Sequence, residues 1–300
     1  MTQVVKVCAV VVTHNRPEEL REVVIALQKQ SSPPTWIVIL DNASPIPASI
    51  TLQEFDSIEI VRSETNTGGA GGFASGINSA LHKPVEWIWL LDDDAIPEPD
   101  ALSSLLQVIP SAQQQSEHVG SICSSVYEFG SLAPLHRRHF LATWGLETRL
   151  SEAKYTESLV KIDTGSFVGF LVSAKACRAV GLPRSDFFIA YDDTEYSLRL
   201  LRAGFTNWLA PNSKINHLRP AGARLRNSPF GIKHFFNIRN RIIVARIYSK
   251  HRMLATVLTS LFGIAIWLVS NKAGFIKSLK LLTQAINDGR HELTSRPNFL

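Results

Sequence analysis

Five apolar residues in unbroken succession, Trp87-Ile88-Trp89-Leu90-Leu91, run directly into three carboxylates, Asp92-Asp93-Asp94. A segment with no polar face reads as a strand covered on both sides, as in the middle of a parallel sheet flanked by helices. In open α/β sheets ligands gather at the carboxyl ends of strands, so the acids stand where a site is expected. Three adjacent anions repel one another. A bound divalent cation with oxygen ligands would relieve that repulsion, and so would the water around a solvated acidic turn. This stretch alone leaves both readings open.

The first hundred residues repeat the pattern. Residues 7–12 form another continuous apolar run, followed by Pro17 at a first helical position and Glu18 and Glu19 in the first turn. Leu20, Val23, Val24 and Leu27 then recur at i, i+3, i+4 and i+7, one buried helical face. Residues 36–40 and 58–61 give two further strands, ending at Asp41-Asn42 and near Asn66. Strands alternating with helices predict an α/β fold with a Rossmann-like, doubly wound, mostly parallel sheet. Thr13, Arg16, Asp41, Asn66 and Asp92 to Asp94 would then line one edge.

The glycine-rich stretch Asn66-Thr67-Gly68-Gly69-Ala70-Gly71-Gly72-Phe73 lets backbone approach a ligand, and a helix through Ile77 and Leu81 would offer its N-terminus to an anion. Plain turn chemistry accounts for several of these glycines equally well. Together with Asp92 they imitate a dinucleotide fingerprint, but that fingerprint belongs after the first strand. There the chain has Thr13-His14-Asn15-Arg16-Pro17, without glycine. A nicotinamide-dependent oxidoreductase is therefore a weak alternative.

A second acidic cluster follows an aromatic run, Phe187-Phe188-Ile189-Ala190-Tyr191-Asp192-Asp193-Thr194-Glu195-Tyr196. Leu198, Leu200, Leu201 and Gly204 read as a helix with a glycine stop, which puts Asp192 and Asp193 at its start. Helix capping explains one aspartate there. A carboxylate aimed into a cleft from a helix start is also a credible general base for a hydroxyl. His217 is a weak signal alone, although imidazole ligates Mn-like ions beside carboxylates.

At 300 residues and 45% hydrophobic content the chain can bury a large core in one large domain or two modest ones. Cys8, Cys123 and Cys177 are widely spaced in apolar sequence, which fits reduced core thiols. Residues 1–6 have no charged n-region with a separate apolar segment, so no secretion signal is expected. The net charge of +5 is divided unevenly: residues 214–300 hold fifteen Lys and Arg against Asp288 and Glu292, or +13, leaving −8 for residues 1–213. That tail contains an uncharged run, 253–270, flanked by Arg246, Lys250 and Arg252 and by Lys272, Lys277 and Lys280. Its length is at the lower edge for a membrane span, and its cations suit an anionic leaflet. A helix packed on the catalytic core or buried in a homodimer has the same composition. Nucleic acid is not an expected partner, because the cations bracket an apolar helix instead of interleaving with aromatics.

In order and spacing, Val10-Val11-Val12-Thr13-His14-Asn15-Arg16, Leu40-Asp41-Asn42-Ala43-Ser44, Asn66-Thr67-Gly68-Gly69, Leu91-Asp92-Asp93-Asp94 and Tyr191-Asp192-Asp193-Thr194-Glu195 resemble the family-2 inverting glycosyltransferases of GT-A fold. The triple aspartate, the glycine stretch and Asn216-His217 are most similar to bacterial galactofuranosyltransferases, with rhamnosyltransferases close. Asn237-Ile238-Arg239-Asn240 also resembles a segment common among such transferases, with no chemistry assigned to it.

The resemblance implies that Thr13, Arg16, Asp41 and Asn66 hold the nucleotide of a sugar donor. It implies that Asp92 and Asp94 act at the diphosphate and a Mn²⁺ or Mg²⁺ ion, that His217 is a further metal ligand, and that Asp93 points elsewhere. Asp193 would take the acceptor proton, and Asp192 with Tyr191 would seat the acceptor. The expected enzyme moves galactofuranose from UDP-galactofuranose to a lipid-linked glycan in cell-wall or surface polysaccharide synthesis. A rhamnosyltransferase using dTDP-rhamnose is the alternative. The expected organisation is a catalytic domain over 1–212, with a nucleotide-sugar half over about 1–95 and an acceptor half over about 96–212. Residues 213–300 would complete the site and dock peripherally on the cytoplasmic face of the membrane. The first strand begins near Met1, so a compact form adding one or a few sugars is expected.

Overall fold

The computed structural model describes residues 5–218, 228–271, 274–294 and 296–297. Strands β1 (Val7–Thr13), β2 (Trp36–Asp41), β3 (Ile58–Arg62) and β4 (Trp87–Asp92) alternate with helices α1 (Pro17–Gln28), α2 (Ala48–Thr51) and α3 (Gly68–Leu81). They are followed by β5 (Ala95–Pro97), α4 (Ala101–Gln115) and β6 (Val119–Glu128). An insertion then carries β7 (Ser131–Leu132), β8 (Arg137–Leu141), β9 (Leu146–Arg149), β10 (Val160–Ile162) and β11 (Thr164–Gly165). After it come β12 (Phe170–Ser173), α5 (Ala174–Val180), α6 (Asp192–Arg202) and β13 (Thr206–His217). The chain continues into α7 (Ile232–Tyr248), α8 (Arg252–Val269) and α9 (Phe275–His291).

The main sheet runs β10-β13-β6-β12-β4-β1-β2-β3, and a small sheet runs β11-β8-β9. β3, β2, β1 and β4 are parallel, β12 is antiparallel between β4 and β6, and β13 returns parallel to β6. The fold is thus α/β on a mostly parallel sheet. Strands β1, β2 and β4 are apolar up to their last residues, Thr13, Asp41 and Asp92, because both faces are covered. Val7, Ala9 and Val11 pack with Leu20, Val23, Val24 and Leu27 of α1, whereas Cys8, Val10 and Val12 pack with Phe73 and Ile77 of α3. The three cysteines are buried and free. Register places Thr13 beside Asp41 and Val12 beside Asp92, which brings those strand ends to one edge.

The glycines after Asn66 are not a loop before a helix. They are the first turns of α3 itself. A Cβ on Gly72 would lie 2.5 Å from Val12 Cγ1, and one on Gly76 2.4 Å from Val10 Cγ1. Gly72 and Gly76 are what let α3 lie directly against β1.

Residue 212, where the sequence placed the end of the catalytic domain, falls inside β13. The C-terminal helices are packed on what precedes them: Ile243 and Val244 of α7 share a cluster with Ala70, Phe187, Tyr191 and Leu198. Buried Ala255, Thr259, Gly263 and Trp267 form one stripe of α8 turned toward protein. Its other faces expose Met253, Val257, Leu261, Leu268 and Val269. Lys272, part of the basic flank, lies outside the described residues.

Candidate active site

β13 pairs antiparallel with β5 so that His217 stands opposite Ala95, and Leu218 N–H donates to Asp94 O at 2.8 Å. This pairing, invisible in the sequence, joins two residues separated by more than a hundred positions. His217 Nε2 is 3.1 Å from Asp94 Oδ1. Asp92, Asp94 and His217 each bring one ligand atom within 4.8 Å of the others. Burial pushes the Asp92 carboxyl up to about 7, helped by the charge of Asp94. Burial acts on Asp94 too, but the hydrogen bond and charge of His217, with Arg16, hold its pKa below the ordinary value. Against burial, the bonds to Asp94 and Glu128 raise His217 to about 9.

Two carboxylates and one imidazole form a donor set that suits Mn²⁺ or a similar divalent ion. The opposite ring nitrogen fits as well: His217 Nδ1 lies 3.2 Å from Glu128 Oε1, the carboxylate–histidine arrangement that orients metal-binding imidazoles. Glu128 is in turn 3.2 Å from His136 Nε2, whose Nδ1 is 2.7 Å from Ser166 Oγ. Nothing in the sequence singles out Glu128 or His136. Serines interrupt the apolar run of β6, and the end of that strand carries no motif.

Asp93 faces the β1–α1 loop. It accepts from Thr13 Oγ1 at 2.9 Å, His14 N at 3.1 Å and Arg16 Nη1 at 3.2 Å. Burial raises Asp93 to about 6, opposed by Arg16. Arg16 also bridges to Asp94. The middle aspartate therefore fastens the loop that carries Thr13 and Arg16, and Thr13 gives its hydroxyl proton to that bond.

Asp41 is fully buried and engaged at both oxygens, by Ser44 N–H at 2.8 Å, by Ala48 N–H at 3.0 Å and by Arg62. Asn42 donates to Asn66 Oδ1 at 3.1 Å and to Gly68 O at 2.9 Å. Asn66 Oδ1 also accepts from Gly68 N–H at 2.8 Å. Asp41 and Asn66 are thus placed at the same sheet edge as Asp92 and Asp94, each shaping a loop.

α6 starts at Asp192, as the sequence predicts. Asp192 is buried and Asp193 half-buried. Burial raises both carboxyls, Asp193 to about 6 and Asp192 well above its ordinary value. Asp192 also feels the charges of Asp193 and of Asp92, so the two acidic clusters lie near each other. Tyr191 is buried, with its hydroxyl engaged by Arg241. Beside Asp193 the small sheet contributes Arg138 and Glu147, 2.9 Å apart, and Thr164 Oγ1 donates to Glu147 at 2.8 Å. The site thus combines a cluster that could hold a cation with a second cluster whose Asp193 carboxyl is raised to about 6.

Residues 8–177 match the family model Glycosyl transferase family 2. The chain belongs to that family. It is 30% identical over 252 residues to Galactofuranosyltransferase GlfT1 of Mycolicibacterium smegmatis, a match covering 80% of this chain and 83% of the relative. It is 24% identical over 250 residues to the dTDP-rhamnosyl transferase RfbF of Shigella flexneri, covering 79% of each. Among solved structures, GalNAc-T7 with UDP, GalNAc and Mn²⁺ is similar at TM-score 0.67 and 15% identity, over 96% of this chain and 55% of that one. The mannosyltransferase PcManGT of Pyrobaculum calidifontis, in complex with GDP-Man and Mn²⁺, is similar at TM-score 0.60 and 14% identity, over 98% and 84%. These are GT-A neighbours, and the chain is a glycosyltransferase. The nicotinamide reading falls with that.

Proposed function

We propose that this glycosyltransferase moves galactofuranose from UDP-galactofuranose to a hydroxyl of a lipid-linked glycan, with inversion at the anomeric carbon, in cell-wall or surface polysaccharide synthesis. The observation that carries the donor assignment is the 30% identity to a galactofuranosyltransferase across 83% of its length, against 24% for the rhamnosyl relative. The cleft supports the chemistry. Asp92, Asp94 and His217 would hold Mn²⁺ or Mg²⁺, which when bound stabilises the negative charge that develops on the departing diphosphate. Arg16, from the loop held by Asp93, would place its guanidinium at that same charge. Thr13, Asp41 and Asn66 would shape the nucleotide seat. From the opposite wall Asp193 takes the proton of the acceptor hydroxyl as it attacks, and Asp192 and Tyr191 define where the acceptor lies. A base that faces the leaving group across the sugar makes the displacement in-line.

The C-terminal region offers a means of reaching a lipid-linked substrate. α8 has mean hydropathy 1.8 over 18 residues, enough by length and composition to cross a membrane. Its Ala255–Trp267 stripe is occupied by protein, so we favour a helix lying in the interface. Met253 and Val269 at its two ends are 83% and 86% exposed, and exposed Phe275 and Ile276 extend the apolar face onto α9. Exposed Lys250 and Arg252 at one end and Lys277 and Lys280 at the other suit anionic headgroups. The site would then work at the cytoplasmic face of the membrane.

The test is a donor screen: the purified chain with Mn²⁺, an octyl-glycoside acceptor, and UDP-galactofuranose or dTDP-rhamnose, with products read by mass. Transfer from UDP-galactofuranose is expected. Transfer from dTDP-rhamnose alone replaces the donor assignment with the rhamnosyl one.

A further inference from the structure

Asp193 is reached through a turn whose backbone is unusual. Phe188, Ala190 and Tyr191 have φ of 64°, 69° and 65°, left-handed values that non-glycine residues rarely adopt. Such conformations persist only where the surroundings over-determine them, and they cluster at functional sites. Here the surroundings come from two directions. On the donor side, Ala70 N–H of α3 donates to Phe188 O at 3.1 Å. A Cβ on Gly68 would lie 1.9 Å from that same oxygen, so only glycine allows the approach.

On the other side stands the segment of α7 that the sequence singles out without chemistry. Asn240 Nδ2 donates to Phe187 O at 3.0 Å, Ile189 O at 3.1 Å and Ala190 O at 2.8 Å. Arg239 Nη2 donates to Asp186 O and Phe187 O, both at 3.2 Å, while its Nε donates to Asn240 Oδ1 at 2.8 Å. Both side chains are 0% exposed, and the next residue, Arg241, engages the Tyr191 hydroxyl. The other C-terminal helices meet α7 at close range: a Cβ on Gly263 of α8 would be 2.8 Å from Ile238 Cγ2, and one on Gly289 of α9 would be 3.0 Å from Arg239 O.

We propose that Arg239 and Asn240 are positioning residues for the transfer step: from within α7 they hold the 186–191 turn in the one shape that aims Asp193 at the acceptor hydroxyl. A turn that carries three left-handed residues would otherwise relax toward ordinary φ values and take the start of α6 with it. The C-terminal helices are by this account part of the catalytic apparatus, since they brace α7. The proposal rests on Asp193 being the base.

Asn240→Ala removes the donors, and Asn240→Asp keeps the volume and the acceptor for Arg239 while removing the N–H groups. For each, kcat and donor KM are measured with an octyl-glycoside acceptor, and UDP affinity in the presence of Mn²⁺ is measured by calorimetry. A misplaced base lowers kcat by about 100-fold. Donor KM and UDP affinity should stay within about twofold of wild type, because the Asn240 bonds that are lost run to Phe187, Ile189 and Ala190 and not to Phe188, whose carbonyl meets α3. Wild-type kcat in either variant overturns the proposal. Loss of UDP binding together with kcat also overturns it, since it assigns these residues to the stability of the whole fold. Asp193→Asn is measured alongside. If it keeps wild-type kcat, the base reading itself fails and takes this proposal with it; if it is inactive while the Asn240 variants are active, only the positioning proposal fails.

Discussion

The carboxylate of Glu128 lies 3.2 Å from Nδ1 of His217, on the opposite side of the ring from Asp94. It fixes the ring's orientation, leaving Nε2 to face Asp94. Glu128→Gln should therefore weaken Mn²⁺ binding by about 10–100-fold, the usual effect of losing such a partner. Titration of Mn²⁺ followed by electron paramagnetic resonance reads this without any sugar present. Unchanged affinity would show that the ring is held by other contacts.

Asp193→Asn should lower kcat by about 10²–10⁴-fold, the usual contribution of a positioned proton acceptor, and leave Mn²⁺ and UDP binding intact. Steady-state kinetics with separate nucleotide titration checks it. A loss of nucleotide affinity of the same size would place Asp193 on the donor instead.

The pH dependence follows from the same group. Burial raises the Asp193 carboxyl to about 6; Glu147 adds to this, while the Thr194 N–H and Arg138 oppose it. Asp192 adjoins it with a raised carboxyl of its own. Only the ionised form accepts a proton, so kcat should climb about tenfold per pH unit below that value and level off above it. Stability moves the other way. The folded-state pKa lies above the unfolded one, so native stability falls as pH rises from the ordinary carboxyl range through about 6 and stays lower beyond. Asp193→Asn removes that cost. Its melting temperature should exceed wild type at pH 8, with the gap closing toward pH 4; a variant less stable at pH 8 would contradict the ionisation state.

The alternating elements and the acids at their ends are legible because burial on both faces of a parallel sheet leaves an unmistakable apolar run, as in β1 and β4. The order of the later strands is not. β13 returns beside β6 and β5 through pairings that join distant segments, and the register that brings His217 to Asp94 leaves no local trace. The role of Asp93 is hidden for a different reason: three adjacent acids look alike until the β1–α1 loop folds over the middle one. Gly72 looks like a turn residue because sequence cannot show that a strand lies against it.

That packing gives a stability prediction. Gly76→Ala drives a methyl into Val10, with its Cβ 2.4 Å from Cγ1, and overpacking of this kind costs about 1–3 kcal/mol. Urea denaturation measures it. A neutral result would mean that α3 can shift away from β1 at little cost.

Val257 and Leu261 lie on the exposed face of α8 and are not among the residues assigned to the site. The double variant Val257→Glu, Leu261→Glu should lose binding to vesicles containing anionic lipid, while kcat with a short-chain octyl acceptor is retained. Flotation at low and high salt separates the apolar from the electrostatic contribution. If the double variant instead changes the sedimentation coefficient and not the flotation, the face is a contact between two copies of the chain.

In the proposed transfer Asp92, Asp94 and His217 face Asp193 across the donor sugar. Nuclear magnetic resonance of the product formed from UDP-galactofuranose reads the configuration at the new glycosidic bond. Inversion relative to the donor is the result this arrangement predicts. A product that retains the donor's configuration would contradict it, because a single in-line displacement assisted by Asp193 cannot give retention.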